Sequence, residues 1–101
     1  MTFRRVADVS EIRPGAARVF DVGNREIAVC NVDGELYAID NVCSHDEGSL
    51  DQGEVIGCEI ECPKHGARFD VRNGKVTAPP AFLTLDVFPV RVVGSEVEVD
   101  V

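Results

Sequence analysis

The chain has 101 residues, 45% of them apolar and 28% charged, a mixture that suits one folded domain and excludes both a disordered chain and a second catalytic module. A formal net charge of −8 excludes non-specific binding to nucleic acid or to anionic lipid, which needs clustered Lys and Arg. No stretch approaches the roughly 20 apolar residues that span a bilayer, so no membrane association is expected.

In chain order, Met1 to Val6 is followed by Asp8 and Glu11 instead of an apolar run, which does not read as a secretory signal. A cytoplasmic protein is expected, and there cysteines are ligands, nucleophiles or core residues more often than disulfides. Residues 9 to 13 are the best helical candidate, stopped by Pro14-Gly15. Ala17–Val22, Arg25–Val32 and Glu35–Asp40 then read as consecutive antiparallel strands, joined by Gly23-Asn24 and Asp33-Gly34 turns. Residues 41 to 51 and 63 to 67 lack β alternation while carrying Cys, Gly and both histidines, so they read as loops. Residues 77 to 81 form a third irregular stretch, because Pro79-Pro80 cannot donate ladder hydrogen bonds. Residues 85 to 93 and 96 to 101 read as a last hairpin, with Val97, Val99 and Val101 alternating against Glu96, Glu98 and Asp100 as on a strand with one wet face and one buried face. The expected fold is all-β and antiparallel, in one domain over residues 1 to 101, with a meander as the simplest topology for the three strands between residues 17 and 40.

The chemistry-bearing residues sit in the two central loops. Cys43-Ser44-His45 and Cys62-Pro63-Lys64-His65-Gly66 place one thiol and one imidazole on each loop, with residues 46 to 61 between them. Two Cys plus two His is a metal set by type, open to zinc, to mononuclear iron or to a two-iron cluster. Zinc fingers usually keep their pairs homogeneous, whereas each pair here is mixed, and mixed pairs suit a cluster in which both Cys hold one iron and both His the other.

The spacing C-x-H, sixteen residues, C-P-x-H-G resembles the cluster-binding signature of the Rieske family. Leu50, Gly53, Ile60, Gly66, Phe69, Asp70, Gly74 and Pro80-Ala81 also lie where Rieske ferredoxins commonly show those residue types. The resemblance implies a Rieske fold, an antiparallel β-sandwich or barrel with a cluster-binding part over about residues 41 to 81 formed by two loops. It implies one [2Fe-2S] cluster per chain, held by Cys43, His45, Cys62 and His65, with the histidines at the exposed tip. Cys30, within Ile27-Ala28-Val29-Cys30, reads as a packed core residue, and Cys58 lies outside the complete ligand set. High-potential relatives carry an extra disulfide and two hydroxyl donors at positions that resemble Gly48, Lys64, Ala67 and Phe69. None of these four residues can supply either, so a potential near the low end of the Rieske range is expected.

With both histidines committed, no facial triad is left for mononuclear iron, and no Gly-rich dinucleotide fingerprint is present. The chain therefore reads as an electron carrier and not as an enzyme. The resemblance implies a monomeric ferredoxin that passes single electrons from a flavin-containing NAD(P)H-dependent reductase to the terminal oxygenase of an aromatic-ring dioxygenase system. Other readings are an accessory Rieske carrier, like the small subunit of nitrite reductase or a protein associated with iron-sulfur cluster assembly, and a zinc-stabilised interaction module.

Overall fold

The computed structural model describes residues 2–23, 25–41, 55–62, 66–79 and 84–101. Among them no helix is long and apolar enough to cross a membrane. The described residues form eleven strands in three antiparallel sheets. The central sheet has the order β2-β3-β4-β9, built from β2 (Ala17–Val22), β3 (Arg25–Val32), β4 (Glu35–Asp40) and β9 (Val87–Phe88). The register sets Val22 opposite Arg25 and Val32 opposite Glu35, the pairing expected when two residues connect antiparallel strands. Asp33 and Gly34 take φ of 53° and 97°, the paired left-handed conformation that matches the twist of a tight hairpin.

β3 and β4 are buried on both faces because their side chains alternate between two cores. Ala28, Cys30, Tyr37 and Ile39 face one cluster, and Ile27, Val29, Leu36 and Ala38 face the other. The run Ile27-Ala28-Val29-Cys30 is thus apolar throughout without breaking the period of two. Cys30 is fully buried, as expected, and burial pushes its thiol up to about 12. One core is closed by a sheet of β1 (Phe3–Asp8), β11 (Glu96–Asp100) and β10 (Val90–Val93), in the order β1-β11-β10, whose Val97 and Val99 are fully buried while Glu96 is exposed. The other core is closed by a sheet in chain order of β5 (Val55–Ile56), β6 (Glu59–Glu61), β7 (Arg68–Asp70) and β8 (Val76–Ala78).

Three expectations change. Residues 85 to 93 are not one strand: Val87 and Phe88 pair with Ile39 and Ala38 in the central sheet, and after Pro89 the chain joins the outer sheet through β10. Proline has no N–H and a fixed φ, so the ladder breaks there and the strand changes sheets. Residues 77 to 81 are not irregular throughout, since β8 extends to Ala78 before Pro79 ends it. The helical candidate is a single 3-10 turn, Val9–Glu11, capped by the Asp8 side chain on the Ser10 N–H at 3.0 Å. β1 was not foreseen, because Arg4-Arg5 interrupts the alternation where the ladder carries a bulge between Arg5 and Ala7.

Candidate metal centre

The expected ligand loops start from one core. Ile39, two residues before Asn41, packs in the same buried cluster as Ile60 and Cys62. Asn41 is buried, and its N–H donates to the Glu26 carbonyl at 3.0 Å, which anchors the end of β4. Cys43, His45 and His65 lie outside the described residues, as do Gly48, Lys64, Pro80 and Ala81.

Cys62 stands at the mouth of the β6–β7 hairpin. Below it Glu61 faces Arg68 and Ile60 faces Phe69. The Cys62 N–H donates to the Ala67 carbonyl at 2.6 Å, and the Cys62 carbonyl accepts from the Gly66 N–H at 3.0 Å. Gly66 takes a φ of 75°, which a side chain would resist. Two bonds thus close the base of the Cys-Pro-Lys-His-Gly loop, so the separation of its ends is set by the hairpin. Cys62 is a free thiol, 1% exposed, in a cluster with Ile60, Ala67 and Phe69. A buried thiol held at the rim of a rigid hairpin, one loop away from a second Cys and His pair by sequence, fits a soft metal such as iron in a cluster.

Ala67 and Phe69 are both fully buried, and neither carries a hydroxyl. Cys58 is half-buried in the β5–β6 turn, where its carbonyl accepts from the Val71 N–H at 2.9 Å. That bond is structural.

The β7–β8 turn holds the frame from the far end of the hairpin. The Asp70 carboxylate accepts from the Arg72 N–H at 2.9 Å, from Nε at 3.0 Å and from Nη2 at 2.8 Å. Its carbonyl accepts from the Gly74 N–H at 2.7 Å, and the Gly74 carbonyl accepts from the Leu85 N–H at 2.8 Å. One residue on, the Asp86 carbonyl accepts from the Asp40 N–H at 3.0 Å. These contacts connect the β5–β8 sheet to the end of β4, so the two expected ligand loops leave one braced frame. The roles of Asp70 and Gly74 in this brace were not legible in the sequence, although the Asp-x-Arg-Asn-Gly pattern marks a turn.

The hydrogen bond from the Arg72 side chain holds the Asp70 carboxyl below its ordinary value. A lowered folded value means that this carboxylate contributes stability fully above the unfolded value of about 3.9 and loses it as pH falls through the lower folded value. Asp70→Asn is expected to destabilise the protein at pH 7 by about 1 kcal/mol, with Arg72 half-exposed. The deficit narrows below pH ~4, which urea unfolding at pH 7 and pH 3 measures.

A family model described as the Rieske [2Fe-2S] domain matches residues 2–89. The biphenyl dioxygenase ferredoxin subunit of Pseudomonas sp. (strain KKS102) is 41% identical over 99% of this chain and 93% of its own length. Among solved structures, the ferredoxin of carbazole 1,9a-dioxygenase from Nocardioides aromaticivorans IC177 superposes with a TM-score of 0.93 at 42% identity, covering 98% of this chain and 97% of that one. A ferredoxin in a complex of reduced oxygenase and oxidized ferredoxin in carbazole 1,9a-dioxygenase superposes with a TM-score of 0.90 at 37% identity, covering 96% and 91%.

Proposed function

The chain belongs to the Rieske [2Fe-2S] domain family, and from that premise we propose that it is a low-potential electron carrier delivering single electrons to the terminal oxygenase of an aromatic-ring dioxygenase system. The observation that carries this reading is the end-to-end similarity to ferredoxin components of such systems, 41% identity over 99% of the chain. A flavin-containing NAD(P)H-dependent reductase is the proposed donor, and the cytoplasm the proposed location.

Cys43 and Cys62 would hold one iron of the cluster, and His45 and His65 the other. When bound, the cluster supplies reversible one-electron chemistry, its histidine ligation setting a potential within roughly −150 to +300 mV. The chain's own residues decide where in that range it falls. Ala67 and Phe69 fill their buried positions with apolar groups, so neither side chain can donate a hydrogen bond that would stabilise added negative charge on sulfur. The closed base of the 62–67 loop keeps the Cys62 backbone in place, which limits reorganisation when the charge changes.

The function is tested by mixing the protein with NADH, a flavin-containing reductase and the terminal oxygenase of a biphenyl- or naphthalene-type system. Oxygenase turnover is expected to require this protein. Reduction of the protein without reoxidation by the oxygenase would overturn the assignment.

The low potential is tested separately. Ala67→Ser and Phe69→Tyr each introduce a donor, and a charge-assisted hydrogen bond of roughly 1.5–3 kcal/mol, about half of it differing between redox states, raises the potential by several tens of millivolts at roughly 59 mV per tenfold. Film voltammetry that finds no rise in the double variant would show that solvent, and not these side chains, governs the potential.

A further inference from the structure

Cys62 is flanked in sequence by Glu61, and the residue that faces Glu61 across the hairpin is Arg68. The Arg68 Nε donates to the Glu61 carboxylate at 3.0 Å, and its Nη1 lies 3.8 Å from the Glu59 carboxylate. This rung lies one residue below the hydrogen bond from the Cys62 N–H to the Ala67 carbonyl that closes the expected ligand loop. Strand alternation puts Ile60 and Phe69 into the core and leaves Glu59, Glu61, Arg68 and Asp70 on the outward face, the first three each about one-third exposed. Asp70, opposite Glu59 on the same face, is held by Arg72, so without Arg68 the Glu59 and Glu61 carboxylates would have no cation of their own strand pair. The chain as a whole is acidic, so this local compensation is not a by-product of a basic surface.

We propose that Arg68 is a potential-tuning residue: it offsets Glu59 and Glu61 at the mouth of the Cys62 loop and thereby keeps the reduced, more negative state of the cluster accessible. The proposal rests on the ligand reading above. The reduced centre carries about one more unit of negative charge than the oxidised one, so a fixed cation nearby favours reduction and a fixed anion opposes it. A charge on the strand pair that carries Cys62, partly exposed and screened by salt, is expected to change the reduction equilibrium by about threefold to tenfold, roughly 30–60 mV at about 59 mV per tenfold.

The test uses the intact, cluster-loaded protein and exploits the fact that two substitutions break the same ion pair while changing charge in opposite directions. Arg68→Gln removes the cation and is expected to lower the potential, whereas Glu61→Gln removes an anion and is expected to raise it. Arg68→Lys keeps the charge and is expected to stay near the wild type. Arg91→Gln, which breaks the equivalent pair with Glu98 on the outer sheet at 2.6 Å, makes the same net-charge change away from the loop and is expected to leave the potential unchanged. A purely structural role for the Arg68–Glu61 pair would move both hairpin variants in the same direction, and that result would overturn the proposal. So would equal shifts in Arg68→Gln and Arg91→Gln. If the wild-type protein itself lacks a two-iron spectrum, the ligand reading fails first, and that outcome is visible before any variant is compared.

Discussion

Replacing Cys62 with Ser is expected to abolish the visible absorption of the cluster and to lower the thermal midpoint of the domain. The serine hydroxyl is a hard, weakly acidic donor in place of a thiolate, and it would sit where the thiol is 1% exposed and enclosed by Ile60, Ala67 and Phe69. Loss of the metal also removes the free energy that binding contributes to folding, which matters in a domain of this size. Cys43→Ser is expected to behave in the same way. Cys30→Ala and Cys58→Ala should keep a normal spectrum, since Cys30 is packed in the core and Cys58 is engaged through its carbonyl. Spectra of the four variants decide the ligand set, and a normal spectrum in Cys62→Ser would remove Cys62 from it.

Among the described glycines, Gly74→Ala is expected to be the most destabilising substitution. Gly74 has a φ of 76°, and a Cβ built there would overlap the Leu85 carbonyl, the group next to the Leu85 N–H that its own carbonyl binds. The left-handed backbone and the steric overlap act together. Backbone cannot swing aside as a flexible side chain can, and the expected loss is roughly 3 kcal/mol or more, a fall of at least ~12 °C in the midpoint at about 4–8 °C per kcal/mol. Gly57→Ala provides the comparison, because its φ of 60° is similar but nothing lies within 4 Å of the added Cβ. It should cost about 1 kcal/mol. Equal losses at the two positions, measured by thermal unfolding with the cluster in place, would show that the Gly74–Leu85 contact is not what braces the sheets.

The central sheet was legible because its signals are local. Gly23-Asn24 and Asp33-Gly34 fix the ends of β2, β3 and β4 at the boundaries that the turn chemistry indicates, and the Val-Glu alternation of β11 shows which face is buried. The candidate ligands were legible because each Cys and His pair is contiguous in the chain. β5 to β8 carry only two or three residues each, too few for a period to emerge. The division of residues 85 to 93 between two sheets depends on partners that are distant in sequence: Val87 joins Ile39, and Val90 joins Val99. The contact of Gly74 with Leu85 and the sharing of Arg68 between Glu61 and Glu59 are products of pairing register. The sequence supplied the residues for both but no local pattern that joins them.

The chain contains only two histidines, His45 and His65, so nitrogen ligation of the cluster can be read without mutagenesis. Pulsed electron paramagnetic resonance of the reduced protein, prepared with natural-abundance and with 15N-labelled histidine, measures it directly. Two strongly coupled nitrogens that change with the histidine label are expected, which would assign both histidines to one iron and leave the thiolates to the other. Absence of such couplings in a reduced two-iron spectrum, or a colourless protein that binds zinc, would contradict the account.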